Sequence, residues 1–240
     1  MSKKPKNGSR PFCSCVVAAA GSSERMGEDK LFLPLGSSFV LAKTLQALQE
    51  SPDIDELIVV TRSEKIPRIA DLAKEFDLTK LRHIVAGAEN RTASVLCGVR
   101  LCSAEAKLIA IHDGARPLVS AEVIGRAVLA ARDCGAAAPA IHARDTVRQA
   151  RGGRVLKTLE RDELYLMQTP QVFEAQLIRT ALEDAVRLSL SLTDDCQAVM
   201  LMDRDVYLVE GADDNLKLTT QADIFAARAI LEARGEWTCG

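Results

Sequence analysis

Short unbroken apolar runs alternate along this chain with stretches of helical spacing, and that alternation restricts the fold more than any other feature. Val16-Val17-Ala18-Ala19, Leu57-Ile58-Val59-Val60, Ile84-Val85-Ala86 and Leu108-Ile109-Ala110-Ile111 read as strands. Between them Ile69 to Phe76, Arg91 to Leu101 and Ala121 to Cys134 place apolar residues at helical intervals. Strands that are apolar on both faces have to be covered on both faces, so the expectation is an α/β fold with a mostly parallel sheet between two layers of helices. Ligands of such sheets gather beyond the carboxyl ends of the strands, which is where Gly21, Gly87 and Asp113 fall.

The alternation breaks after Ile141. Residues 143–160 intersperse Arg144, Asp145, Arg148, Arg151 and Arg154 with β-branched residues around Gly152-Gly153, the pattern of a polar hairpin. An exposed hairpin has edges to protect, so an arm inserted at about residues 142–168 is expected to project and meet a partner. Beyond it, Ala175 to Leu190 and Ala222 to Ala233 have helical composition, and Val206 to Val209 is a late strand. The expected organisation is a basic tail over residues 1–11 and a single domain over 12–240, a length that supports one sizeable core.

A net charge of −2 gives no electrostatic footprint for nucleic acid or an acidic membrane, so an anionic ligand must be met by locally clustered cations. Lys3, Lys4, Lys6 and Arg10 ahead of a short apolar run imitate a secretory signal, but cleavage after Ala18-Ala19-Ala20 would remove the strand that aims the following loop. No apolar stretch approaches the roughly 20 residues that span a bilayer. Seven cysteines without paired C-x-x-C spacing, several on apolar runs, suit a reducing compartment, and cytoplasmic residence is expected. Three histidines, none at ligand spacing, argue against zinc.

Ala18 to Lys30 carries the first chemical signal. A buried strand opens into a loop of Gly, Ser and Ala, whose backbone N–H groups can approach phosphate oxygens unobstructed, and Arg25 and Lys30 supply countercharge. Neither the P-loop spacing nor Gly-x-Gly-x-x-Gly is present, which removes the main support for a dinucleotide oxidoreductase. Glu28 and Asp29 in the same loop would repel phosphate unless they point outward. The second signal is Ile111-His112-Asp113-Gly114-Ala115-Arg116-Pro117, where a strand ends in an acid. Asp113 suits a hard divalent cation completed by substrate oxygens, and equally suits a turn cap paired with Arg116.

Taken together with Gly87-Ala88-Glu89-Asn90-Arg91-Thr92-Ala93-Ser94-Val95, Leu159-Glu160-Arg161, Gln168-Thr169-Pro170-Gln171, Thr193-Asp194-Asp195 and Asp214-Asn215-Leu216-Lys217-Leu218-Thr219, these segments resemble the 2-C-methyl-D-erythritol 4-phosphate cytidylyltransferases from about Cys15 to Ala233. The resemblance implies a Rossmann-like nucleotidyltransferase of the non-mevalonate isoprenoid pathway, which joins CTP to a sugar-alcohol phosphate and releases pyrophosphate. It implies Arg25, Lys30 and Lys217 as the catalytic cations, and Asp113 with Asp214 on Mg²⁺ or another divalent cation such as Mn²⁺. The nucleotide would lie on Ala19, Ala20, Gly21 and Gly114, with cytosine recognised through Ala88, Glu89 and Ser94. Arg116, Arg161, Thr169 and Thr193 would grip the acceptor. Arg161 would come from the arm of a neighbouring subunit, so the active unit is expected to be a homodimer, without nucleic acid or membrane as partner.

On spacing alone several of these residues have other uses. Lys217 suits a helix C-terminus or solvent, and Asp214 a helix N-cap. Arg161 lies between Glu160 and Asp162, within reach of a local ion pair. Thr193 carries an N-cap signal of its own, and His112 between apolar neighbours suits a hydrogen-bonded structural role. The competing functions are a cytidylyltransferase acting on ribitol 5-phosphate, a sugar-1-phosphate nucleotidyltransferase using another nucleotide, and a catalytically silent nucleotide-binding subunit.

Overall fold

A computed structural model describes residues 10–21 and 29–237. Four parallel strands form the middle and one edge of the sheet: β1 (Cys13–Ala19), β4 (Glu56–Thr61), β5 (Leu81–Ala86) and β6 (Leu108–Asp113), in the order β6-β1-β4-β5. A short hairpin of β2 (Pro34–Leu35) and β3 (Ser38–Phe39) stands apart from them. The helices between strands are α1 (Val40–Glu50), α2 (Ile66–Glu75), α3 (Arg91–Val99) and α4 (Ala121–Cys134).

The period-2 alternation of β1 and β4 explains how one sheet makes two cores. Cys15, Val17, Leu57 and Val59 pack on one face with α1, α2 and α4, while Val16, Ile58 and Val60 pack on the other with α3. Gly98 of α3 lies so close to the sheet that a Cβ there would stand 2.5 Å from Val60 and 2.6 Å from Val16. The cysteines behave as small hydrophobes: Cys13, Cys15, Cys102 and Cys196 are buried and unpaired, and burial pushes the Cys102 thiol up to about 12.

The second half of the sheet is built around β7 (Ala136–His142). On one edge β7 pairs in parallel with β12 (Tyr207–Glu210); on the other it meets the antiparallel β11 (Gln171–Glu174) and then β10 (Tyr165–Met167). Met167 and Glu210 both face Ala140, which places β10 and β12 on opposite sides of β7. β11 also pairs with β6 and joins the two halves. Between β7 and β10 the chain makes the antiparallel pair β8 (Arg148–Arg151) and β9 (Arg154–Thr158), whose residues are all exposed. Gly152 and Gly153 turn it with φ of 57° and 77°, values that favour glycine.

Helices α5 (Ala175–Arg187) and α6 (Asp195–Met200) complete the α3 face. The final helix, α7 (Gln221–Ala233), is closed at its start by a capping box between Thr220 and Asp223. It buries Ala227 and Leu231 against Leu35, Val40, Leu118 and Leu218, a small separate core beneath the C-terminal loop. Among the described residues no helix is long and apolar enough to cross a membrane.

Candidate active site

A cavity of about 420 Å³ opens at the carboxyl ends of β1, β4 and β6. Its lining includes Ala18 to Gly21 from the end of β1, the segment Ala88 to Arg91 with Ser94, and Lys30, Asp113, Ala115 and Lys217. The strand ends therefore bring together sequence-predicted residues that lie far apart along the chain. Arg25 lies outside the described residues, although Gly21 and Lys30 on either side of its loop both line the cavity.

Backbone geometry explains the small residues. Gly114 N–H donates to the Ala18 carbonyl at 3.0 Å, and its own carbonyl accepts from Thr44 Oγ1 at 2.9 Å, so the turn after β6 lies flat against the end of β1. Gly114 thus backs the cavity, and its neighbour Ala115 lines it. At Gly87 a Cβ would stand 2.7 Å from Ser94 Oγ and 2.9 Å from Ala20 Cβ, which makes glycine a requirement of the close approach. Ser94 Oγ accepts from Ala88 N–H at 2.9 Å and holds this segment in shape.

Lys30 opens a short 3-10 turn (Lys30–Phe32) capped by Asp29, which accepts from Leu31 N–H at 3.3 Å. Arg62 and Lys65 stand 3.2 and 3.3 Å from the Asp29 carboxylate. That pairing answers the repulsion expected of Asp29 in a phosphate loop, because its charge is neutralised from the turn that precedes α2.

At the centre, Lys217 Nζ meets Asp113 Oδ2 at 2.9 Å. Burial would push the Asp113 carboxyl up, but Lys217, Arg91 and Arg116 hold it below the usual carboxylate range. Asp113 is presented by a fully buried His112. His112 Nε2–H donates to the Arg116 carbonyl at 3.2 Å, so Nδ1 is the acceptor for the Thr169 hydroxyl at 3.0 Å. Thr169 Oγ1 in turn accepts from Asp113 N–H at 3.1 Å. Burial drops His112 to about 4, and the ring is a neutral structural element.

Five residues expected at the acceptor or the metal do not line this cavity. Arg116 is buried and donates to the carbonyls of Asn215 (2.6 Å) and Met167 (3.3 Å), with Nε 3.6 Å from Asp113. Its guanidinium is spent on the framework behind the cavity. Thr169 is likewise buried, its hydroxyl engaged with His112 and Asp113. Asp214 is held 2.5 Å from Arg234 and does not line the cavity. Thr193 is exposed and donates to Gln197 Oε1, while the N-cap of α6 is its neighbour Asp194. Arg161 is exposed in a turn after β9, with Asp162 at 4.0 Å.

Arg91 is a site residue that spacing did not single out. It lines the cavity at the first position of α3 and forms a bidentate pair with the buried Asp195, at 3.0 and 2.6 Å. Burial alone would lower the guanidinium, and Asp195, Asp113 and Asp194 more than reverse this. A signal did exist: Asn90 caps the helix, and a cation immediately after it opposes the helix dipole, so something else must hold it there.

Among the described residues no group of three or more His, Cys, Asp or Glu converges as a metal cluster. A hard divalent cation fits Asp113 nonetheless, because one ionised carboxylate lining a roomy cavity leaves the remaining positions to substrate oxygens and water.

The family model described as 2-C-methyl-D-erythritol 4-phosphate cytidylyltransferase matches residues 13–233. The chain belongs to this cytidylyltransferase family. A relative bearing the same description in Dehalococcoides mccartyi is 39% identical over 220 residues, covering 90% of this chain and 95% of the relative. One in Desulforamulus reducens is 37% identical over 226 residues, covering 92% and 97%. Among solved structures, the 4-diphosphocytidyl-2C-methyl-D-erythritol synthase of Anaerococcus prevotii superposes with a TM-score of 0.82 at 33% identity, covering 92% of this chain and 98% of that one. The cytidylyltransferase of Thermus thermophilus gives 0.76 at 30%, covering 90% and 98%. The sheet, its helices and their order are those of a Rossmann-like nucleotidyltransferase.

Proposed function

We propose that this chain transfers the cytidylyl group of CTP to 2-C-methyl-D-erythritol 4-phosphate, giving 4-diphosphocytidyl-2-C-methyl-D-erythritol and pyrophosphate in the non-mevalonate pathway. The observation that carries the proposal is the convergence of Lys30, Asp113 and Lys217 with the Gly87–Ser94 segment on one cavity. A phosphate monoester has its second pKa near 6, so the acceptor is already mostly dianionic at neutral pH and attacks the α-phosphorus without a side-chain base. That suits a site whose one histidine is buried and neutral.

The residues then have electrostatic tasks. Lys30, with Arg25 of the same loop, balances the triphosphate, and backbone N–H groups from Ala19 to Gly21 lie against it. Lys217 reaches the α-phosphate, where charge grows as the acceptor oxygen adds and pyrophosphate departs. Ala88, Glu89 and Ser94 offer a narrow wall for cytosine. Asp113 holds a divalent cation, Mg²⁺ or Mn²⁺, which neutralises phosphate charge when bound. Arg116 and Thr169 serve by shaping the Asp113 turn.

The acceptor side is completed by a second copy of this chain. Val155 and Leu156 on the arm, Tyr165 and Leu166 on β10, and Tyr207 and Leu208 on β12 are large apolar side chains between 41 and 54% exposed. Such a surface suits burial between subunits, with Arg161 delivered to the partner's cavity. Unpaired buried thiols suit work in the cytoplasm.

The test is divalent-cation-dependent pyrophosphate release across CTP, UTP, ATP and GTP, with methylerythritol phosphate and ribitol 5-phosphate as rival acceptors. Release with CTP and methylerythritol phosphate is expected to exceed every other combination. A preference for ribitol phosphate would reassign the acceptor.

A further inference from the structure

We propose that Gln168 is a positioning residue for Lys217: its side-chain amide, at the root of the arm, holds the irregular segment that carries the lysine. The inference rests on Lys217 acting at the phosphates, and extends the machinery to a residue that touches no substrate.

Between the end of β12 at Glu210 and the start of α7 at Gln221 the chain has no regular structure, yet Lys217 must be held to within a fraction of an ångström to meet developing charge. Its downstream side is fixed by Leu218, which is fully buried and donates N–H to the Ala115 carbonyl at 2.8 Å. The upstream side depends on Gln168. Gln168 Nε2 donates to the Ala212 carbonyl at 2.7 Å, and Oε1 accepts from Ala212 N–H at 3.1 Å, so the side chain pairs with that backbone as a neighbouring strand would. Oε1 also accepts from Asn215 Nδ2 at 3.3 Å, and the same Nδ2 donates to the Thr169 carbonyl at 3.0 Å.

Only an amide can do this, because one end must donate and the other accept. The surroundings are shaped to receive it. A Cβ at Gly211 would stand 2.5 Å from Gln168 Oε1 and 3.0 Å from the Ala140 carbonyl, so the segment passes there only as glycine. Gln168 and Asn215 are buried, and breaking these bonds leaves polar groups without water to replace them. Consecutive residues thus grip the two partners of one ion pair: Gln168 the Lys217 segment, Thr169 the Asp113 backbone.

The test is a double-mutant cycle in the full-length enzyme, reading kcat, CTP affinity and urea midpoint. Gln168→Met keeps the volume and loses both halves of the amide; Gln168→Glu keeps the acceptor and loses the donor, and serves where the first variant fails to fold. Either is expected to lower kcat by about 10- to 100-fold with CTP affinity changed by less than about threefold. In a Lys217→Ala background the same change is expected to cost less than about twofold more, since the group it positions is gone. An unchanged kcat in the Gln168 variants, beside a crippled Lys217→Ala enzyme, overturns the proposal alone. An equal loss in both backgrounds also overturns it. Wild-type turnover by Lys217→Ala removes the proposal together with the role of the lysine.

Discussion

Lys217 Nζ lies 2.9 Å from Asp113 Oδ2, a cation from the C-terminal loop seated on an acid from the end of a central strand. The pair sets an acid suited to a divalent cation directly beside a cation suited to phosphate. Its geometry is maintained from behind by buried polar side chains that contribute no surface to the cavity.

Replacing Lys217 by alanine is expected to lower kcat by about 10²- to 10³-fold, the scale for losing a preorganised group aimed at transition-state charge. CTP binding should weaken far less, and the urea midpoint should barely move, because the lysine is 44% exposed. Steady-state kinetics at saturating substrates decides it, and unchanged turnover would discard the assignment.

Arg161→Ala should raise the KM for the acceptor more than that for CTP. Mixed with Lys217→Ala chains after dissociation and reassociation, it should recover about a quarter of wild-type activity, since half the dimers would carry one intact composite site. Recovery of nothing would place Arg161 outside the partner's cavity.

Stability should depend on pH through His112. Its folded pKa of about 4 lies below the ordinary 6.5, so between these values the unfolded chain binds more protons. The contribution of roughly 3 kcal/mol is complete above the upper value, shrinks as pH falls through the window, and is gone below the lower one. Urea denaturation of the wild type and His112→Asn across this range should show a steeper rise of stability with pH in the wild type; parallel curves would refute the neutral buried ring.

Gly98→Ala is expected to destabilise the fold although alanine favours helix by about 1 kcal/mol. Val16 and Val60 are buried, β-branched and stiff, so the 2.5 to 2.6 Å overlap has to be relieved by shifting α3, at about 1–3 kcal/mol. A raised melting temperature would contradict the close packing of α3 on the sheet.

Much of the fold was legible because local patterns agree with global burial. The apolar runs at β1, β4 and β6 and the periodicities of α2 to α5 and α7 correspond to elements of the structure, and the Gly152-Gly153 pair turns a hairpin. Other elements were hidden. α1 follows Phe39, an N-cap that makes no side-chain hydrogen bond, and the four residues of β11 are too few to show a period. β7 carries Pro139 in its middle among alanines, a composition that argues against a central strand. It is a strand because neighbours on both edges pair with it.

The chain by itself determined the layer architecture and the family, since each is written in neighbouring residues whose periodicity or order can be read along one segment. Only the tertiary structure decided that Arg116 and Thr169 stand behind the cavity, that Asp214 is taken by Arg234, and that Arg91 is anchored by Asp195. Hydrogen bonds of that kind join residues far apart in sequence, with one partner often a backbone carbonyl or amide. A backbone group has the same chemistry at nearly every position, so no residue type announces which one a distant side chain will find.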